Sequence, residues 1–193
     1  MKSSFTVTFS SALLLAFCAS SSALAPAKNV TATAPSPLTC GDPSDAVPLY
    51  FMEIAGQDMY YATGIGFVTT LVGDLAYTFL GIAARVFTTQ ELSTVPFFHL
   101  QNDQTSDNFY TISATDRELA LETGWGDAGI AAYIYPSQIC GSVPLYGLYQ
   151  SVDTIHFYTI NETTYDAMLA GTGGWADQGI AGYVLDLNPC AAE

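Results

Sequence analysis

The chain is short of positive charge. It carries 4 Lys and Arg against 18 Asp and Glu, a formal net charge of −14, with an isoelectric point near 4.1. Nucleic acids and anionic membranes are held through basic footprints, so a chain this acidic repels both, and its charge reads first as solubility in an extracellular setting. Histidine is equally scarce: His99 and His156 are the only two. No nucleophile elbow, H-E-x-x-H or glycine-rich phosphate loop is present, so neither a hydrolytic triad nor a cofactor-dependent reaction is expected. A metal centre needs thiols and imidazoles clustered at short spacing, which the sequence does not offer. Paired carboxylates can hydrolyse glycosides, but with so many acids available no pair is singled out. Long hydrophobic runs are missing too; the apolar stretch 12–18 falls far short of the ~20 residues that span a bilayer.

That short apolar stretch has a different use. Met1-Lys2 gives a basic start, and a Ser/Ala-rich segment ends in Ala23-Leu24-Ala25, an A-x-A-like cleavage site, so residues 1–25 read as a secretory signal peptide. Pro26 directly after the site disfavours cleavage there and allows a cut between Ala19 and Ala23 instead. The product is expected to be secreted and extracellular. Residues 26–46, rich in Ala, Pro, Thr and Ser, read as an extended leader that buries no core. The sequons at Asn29 and Asn161 are expected to carry N-linked glycans in a eukaryotic host.

From residue 47 onward the chain repeats. Val47-Pro48-Leu49-Tyr50, Val95-Pro96-Phe97-Phe98 and Val143-Pro144-Leu145-Tyr146 follow one another at intervals of 48 residues. The intervals are filled in one order: Phe109-Tyr110-Thr111 aligns with Phe157-Tyr158-Thr159, Trp125 with Trp175, and Gly129-Ile130-Ala131 with Gly179-Ile180-Ala181. In the first copy Tyr60-Tyr61-Ala62, Tyr77 and Gly81-Ile82-Ala83 take these places. A fixed period of this size means one supersecondary unit packed on copies of itself. The expected organisation is a single domain, residues 47–190, of three units, 47–94, 95–142 and 143–190. Each unit reads as strand, strand, helix, strand: a strand opening on Val-Pro, an aromatic strand such as 156–160, a helix over 113–123 or 161–170 opened by a capping residue and closed by glycine, and a last strand such as 180–185. The fold class is mainly β with short helices, its units closing as a pseudo-threefold, three-bladed propeller-like array. A β-trefoil is the alternative, weakened because its usual unit lacks a helix.

The succession PLY, FYT, GW and GIAGYV resembles a repeat family of secreted fungal and bacterial proteins known only as a domain of unknown function, over about residues 40 to 187. The family pattern places Arg after PLY and Asp-His before FYT. Here Phe51, His99 and Gly147 stand at the Arg position, and Met59, Asn108 and His156 at the His position. The resemblance also implies a wall-associated role, since such repeats occur beside wall-acting enzymes.

Three cysteines follow the signal peptide, Cys40, Cys140 and Cys190, and an odd count leaves one thiol unpaired within the chain. Closing a ring brings its first and last seams together, which favours Cys40 to Cys190, with Cys40 to Cys140 second. Aromatic residues are the better lead to function, because sugars lay their apolar faces on exposed Trp and Tyr. The candidate ligand-binding set is Trp125 and Trp175, with Asp127 and Asp177 accepting hydroxyl hydrogen bonds, and His156 with Tyr158 lining the third unit. The tryptophans stand open between this role and packing, while the recurrent Tyr50, Tyr110, Tyr133, Tyr158 and Tyr183 read mainly as core. The expected partner is a glycan or cell-wall polymer, with another protein as the alternative and catalysis last.

Overall fold

The computed structural model describes residues 40–188; residues 1–25, expected to be a signal peptide, Asn29 and Cys190 lie outside the described residues. Each unit opens on a strand that becomes the middle of a three-stranded antiparallel sheet: β1 (Val47–Ile54), β4 (Val95–Asn102) and β7 (Val143–Gln150). It is flanked by the short aromatic strands β2 (Asp58–Ala62), β5 (Asp107–Thr111) and β8 (Ile155–Thr159), and by the closing strands β3 (Thr78–Val86), β6 (Gly126–Ile134) and β9 (Trp175–Val184). One helix links the second strand of each unit to the third: α1 (Ile65–Asp74), α2 (Ala114–Glu122) and α3 (Glu162–Ala170). The order strand, strand, helix, strand thus stands in all three units, and the sheets are arranged roughly about a threefold axis. Among the described residues no helix is long and apolar enough to cross a membrane.

The helices begin where side chains can satisfy their first N–H groups. Ser113 accepts from the Asp116 N–H at 3.1 Å and Asn161 from the Thr164 N–H at 3.0 Å. Gly64, at the same place before α1, makes no side-chain cap.

The core repeats as the sequence does. Leu49, Phe97 and Leu145 are buried, as are Val86, Ile134 and Val184 on the closing strands. At its centre stand Tyr61, Tyr110 and Tyr158, their ring centroids 5.5–5.6 Å apart and nearly perpendicular. Each hydroxyl bridges the backbone of the next tyrosine. Tyr61 donates to the Tyr158 carbonyl at 2.8 Å and accepts from its N–H at 2.9 Å. Tyr158 does the same for Tyr110 at 3.0 and 2.8 Å, and Tyr110 for Tyr61 at 3.1 and 3.0 Å. β2, β5 and β8 are sheet edges, and buried edge groups need partners; here hydroxyls supply them in place of a fourth strand. Tyr50, Tyr133 and Tyr183 are only half-buried.

Past the closing strands, each unit bridges the others. Phe87 and Tyr133 exchange backbone hydrogen bonds, as do Tyr135 and Tyr183, and Leu185 and Arg85. Phe87, Tyr135 and Leu185 form a second apolar cluster there, with Ala46, Ile139 and Cys140 packed against it.

The disulfide corrects the favoured pairing: Cys40 is joined to Cys140, with a Cα separation of 5.6 Å. The reason lies in the segment ahead of β1. Its last residues are folded, with a 3-10 helix over Pro43–Asp45, and Arg85 donates to the Pro43 carbonyl. Gly41 donates its N–H to the Tyr135 hydroxyl at 3.1 Å and lies so close that a Cβ would stand 3.0 Å from the Phe87 ring. Residues 40–45 are therefore held against the ends of units one and two, beside Cys140.

Candidate functional site

The three junctions between units differ in what fills them. In each unit the residue after the Pro-Leu-Tyr or Pro-Phe-Phe string pairs across the sheet with the axial tyrosine: Phe51 with Tyr61, His99 with Tyr110 and Gly147 with Tyr158. Phe51 stacks on Tyr61 at 4.9 Å and meets the edge of Phe157 from unit three at 5.6 Å. His99 stacks on Tyr110 at 4.4 Å and meets Tyr60 of unit one at 5.1 Å. At the junction of units two and three stands Gly147, with no ring to place on Tyr158.

A cavity of about 550 Å³ opens at that junction, within the size range of small-ligand sites. Phe109, Trp125 and Leu119 line it from unit two, and Gly147, His156, Tyr158 and Ile180 from unit three, with Asp116 and Gln178 among its polar groups. Trp125 meets Phe109 at 5.9 Å and His156 at 6.0 Å. The Tyr158 hydroxyl is occupied by the Tyr110 backbone, so this residue offers a ligand its ring and not its hydroxyl. Thr111 and Ser113, which also line the cavity, spend their hydroxyls on the turn into α2.

His156 is held from beneath. Asp107 accepts its backbone N–H at 2.9 Å and contacts Nδ1 at 2.8 Å, and the carboxylate side chain is only 2% exposed. A carboxylate oxygen accepts, so we assign a proton to Nδ1, and this hydrogen bond fixes the orientation of the ring.

The corresponding seam between units one and two is closed by a different polar chain. Tyr77 donates to Asp58, which also accepts from the Asn108 amide, and the Asn108 oxygen meets His99 Nε2 at 2.7 Å. Burial pushes the Asp58 carboxyl up despite these donors, pushes His99 down against the help of Asn108 and lifts the neighbouring Tyr60 hydroxyl to about 12.

Of the residues singled out in the sequence, the structure brings Trp125, His156 and Tyr158 together in one cavity and leaves the others elsewhere. Trp175 packs on Phe157 at 6.0 Å, the same contact Trp125 makes with Phe109, but at the seam where Phe51 fills the space. Asp127 and Asp177 are occupied with shaping strands. Each accepts the N–H of the glycine two residues on, Gly129 and Gly179, both at positive φ and at irregularities in the pairing of β6 with β4 and β9 with β7. Arg117 and then the Gly129 N–H hold the Asp127 carboxyl below its usual range, and the Tyr165 hydroxyl and then the Gly179 N–H do so for Asp177.

Sequence reasoning missed Phe109, Asp107 and the meaning of Gly147. For the last the sequence holds a pattern, two rings and a glycine at one register position, but only the packing of Phe51 and His99 gives it a meaning. Among the described residues no group of three or more His, Cys, Asp or Glu side chains is placed to hold a metal ion.

A family model, that of a domain of unknown function (DUF5648), matches residues 50–185; the chain belongs to that family. No curated protein and no solved structure matches the chain significantly.

Proposed function

We propose that this DUF5648 domain is a secreted, non-catalytic module that binds carbohydrate, with its site at the junction of units two and three. One observation carries the reading: an apolar cavity walled by Phe109, Trp125 and Tyr158 holds the imidazole fixed by Asp107, with Asp116 and Gln178 at hand. Aromatic faces suit the C–H face of a pyranose ring, and a few directional polar groups suit its hydroxyls. His156 supplies a polar ring whose orientation Asp107 has already set, so little ordering is needed on binding. The site is smaller than the candidate set expected from the sequence, which also included Trp175, Asp127 and Asp177. Trp175 and Asp177 have structural partners at a filled seam, and Asp127 is paired with Arg117.

The same reading includes the finer architecture and the address. The axial tyrosines and the three backbone bridges support closure of the units as a three-bladed, propeller-like array. The Cys40–Cys140 disulfide is compatible with an oxidising, extracellular compartment. At Asn161 the side-chain oxygen caps α3, which leaves the amide nitrogen for a glycan.

The test is a glycan array followed by titration of whatever oligosaccharide is retained. Trp125→Ala should weaken binding about tenfold or more, as truncation of a central aromatic contact does, while Trp175→Ala should leave affinity unchanged. Equal losses from both, or retention of no glycan by the folded domain, would refute the reading and favour a protein partner.

A further inference from the structure

Phe51 and His99 are built-in occupants of the positions they fill. Each lies nearly parallel to its axial tyrosine, at interplanar angles of 13° and 5°, and each reaches the aromatic residue that precedes the axial tyrosine of the adjoining unit, Phe157 and Tyr60. At the third junction the equivalent residue to be reached is Phe109, which lines the cavity together with Gly147 and Tyr158. The nearest parallel ring on Tyr158 is His156, and its centroid stays 6.5 Å away. The inner wall is made by Tyr110 and Tyr158, which belong to the axial hydrogen-bonded set, so nothing threads through towards the axis.

We infer that Gly147 makes this a single site: one ring of the ligand lies on Tyr158 in the place that Phe51 takes on Tyr61 and His99 on Tyr110. Resting on the carbohydrate reading above, this makes a single pyranose ring the part of the ligand that the junction holds. Position 147 is then the residue that decides whether a junction binds or is plugged. A side chain there has room to start, since a Cβ on Gly147 would meet Gln178 Cβ at 3.4 Å and Tyr158 Cε1 at 3.5 Å, ordinary contacts.

The experiment is titration of the full domain, followed by the NMR signals around Trp125 and His156. Two kinds of probe are used: the bare rings phenol and indole, and soluble hexasaccharides of chitin, cellulose and laminarin. Gly147→Phe and Gly147→His copy the occupants of units one and two and should weaken uptake of both kinds about tenfold or more with the thermal midpoint retained. His99→Gly should add a second site for the bare rings. If the Phe variant does not fold, the His and Ala variants carry the comparison. A folded Gly147→Phe or Gly147→His domain that binds as the wild type does overturns the inference, as does a wild type that takes up neither kind of probe. Ring uptake lost on plugging, with no hexasaccharide bound by the wild type, supports the role of Gly147 and defeats the carbohydrate reading alone. Hexasaccharide binding indifferent to position 147 does the reverse.

Discussion

Tyr61, Tyr110 and Tyr158 show how much one hydroxyl can hold. Each satisfies a buried donor and a buried acceptor on an edge strand from another unit, so its loss orphans both. Tyr61→Phe keeps the ring and its packing but strands the Tyr158 N–H and carbonyl, at an expected cost of about 2–5 kcal/mol from two unsatisfied buried groups. Chemical denaturation measures it, and a loss below that of an ordinary surface substitution would contradict the axial role. His99 gives a pH signature. Its folded pKa is depressed below the ordinary 6.5 by burial, so as pH falls through about 6.5 the unfolded chain takes up a proton that the native ring refuses, and stability declines. Asp58 acts in the opposite sense: its folded pKa is raised above 3.8, so its protonation favours the native state as pH falls through that folded value. The thermal midpoint should therefore drop between about pH 7 and 5, and His99→Phe should flatten the drop. The variant is expected to fold because Phe51 already stacks on Tyr61 in this way and Gln101 still donates to the Asn108 oxygen, at 3.3 Å. An unchanged pH profile in the variant would assign the effect to another group.

At the level of the strand, the repeated Asp-x-Gly offers Asp127 and Asp177 a second role beside the one expected from sequence. An acid that recurs beside a tryptophan fits a sugar-binding pattern, yet it fits equally a bulge in which the carboxylate holds the N–H of a positive-φ glycine. Only the strand register decides between them, because recurrence is what a structural device and a binding device have in common. Asp127→Ala and Asp177→Ala should each lower the thermal midpoint slightly and leave ligand affinity untouched. A selective loss of affinity would restore their original assignment. Trp125 and His156 were legible because the chain has only two tryptophans and two histidines, and Tyr158 because it stands two residues from His156. Gly147 was not, since a missing side chain acquires meaning only when Phe51 and His99 are seen to fill the equivalent space. Asp107 was hidden for a related reason: its partner His156 lies in the next unit, 49 residues away, and unit three has Ile155 at its position.

For the whole molecule, the 48-residue period and the unit's internal order were readable, because turn residues, caps and aromatic strands repeat locally. What joins the units was not. The tyrosine network, the backbone bridges and the Cys40–Cys140 bond all link residues about 48 to 100 positions apart, and no local pattern announces them. These links make a cut between units informative. Ending the chain after residue 142 removes the Tyr158 hydroxyl that serves Tyr110 and the Tyr158 backbone that serves Tyr61. It also removes Tyr183 and Leu185, the bridging partners of Tyr135 and Arg85. The disulfide lies wholly within the shortened chain, so its contribution of ~2–5 kcal/mol is retained. If each unit buries the next, the two-unit fragment should aggregate or unfold without a cooperative transition even with Cys40 and Cys140 joined. Calorimetry and light scattering on the oxidised fragment decide it. A soluble fragment melting cooperatively would mean that two units and one disulfide suffice, and the contacts of unit three would then serve its site rather than the stability of the domain.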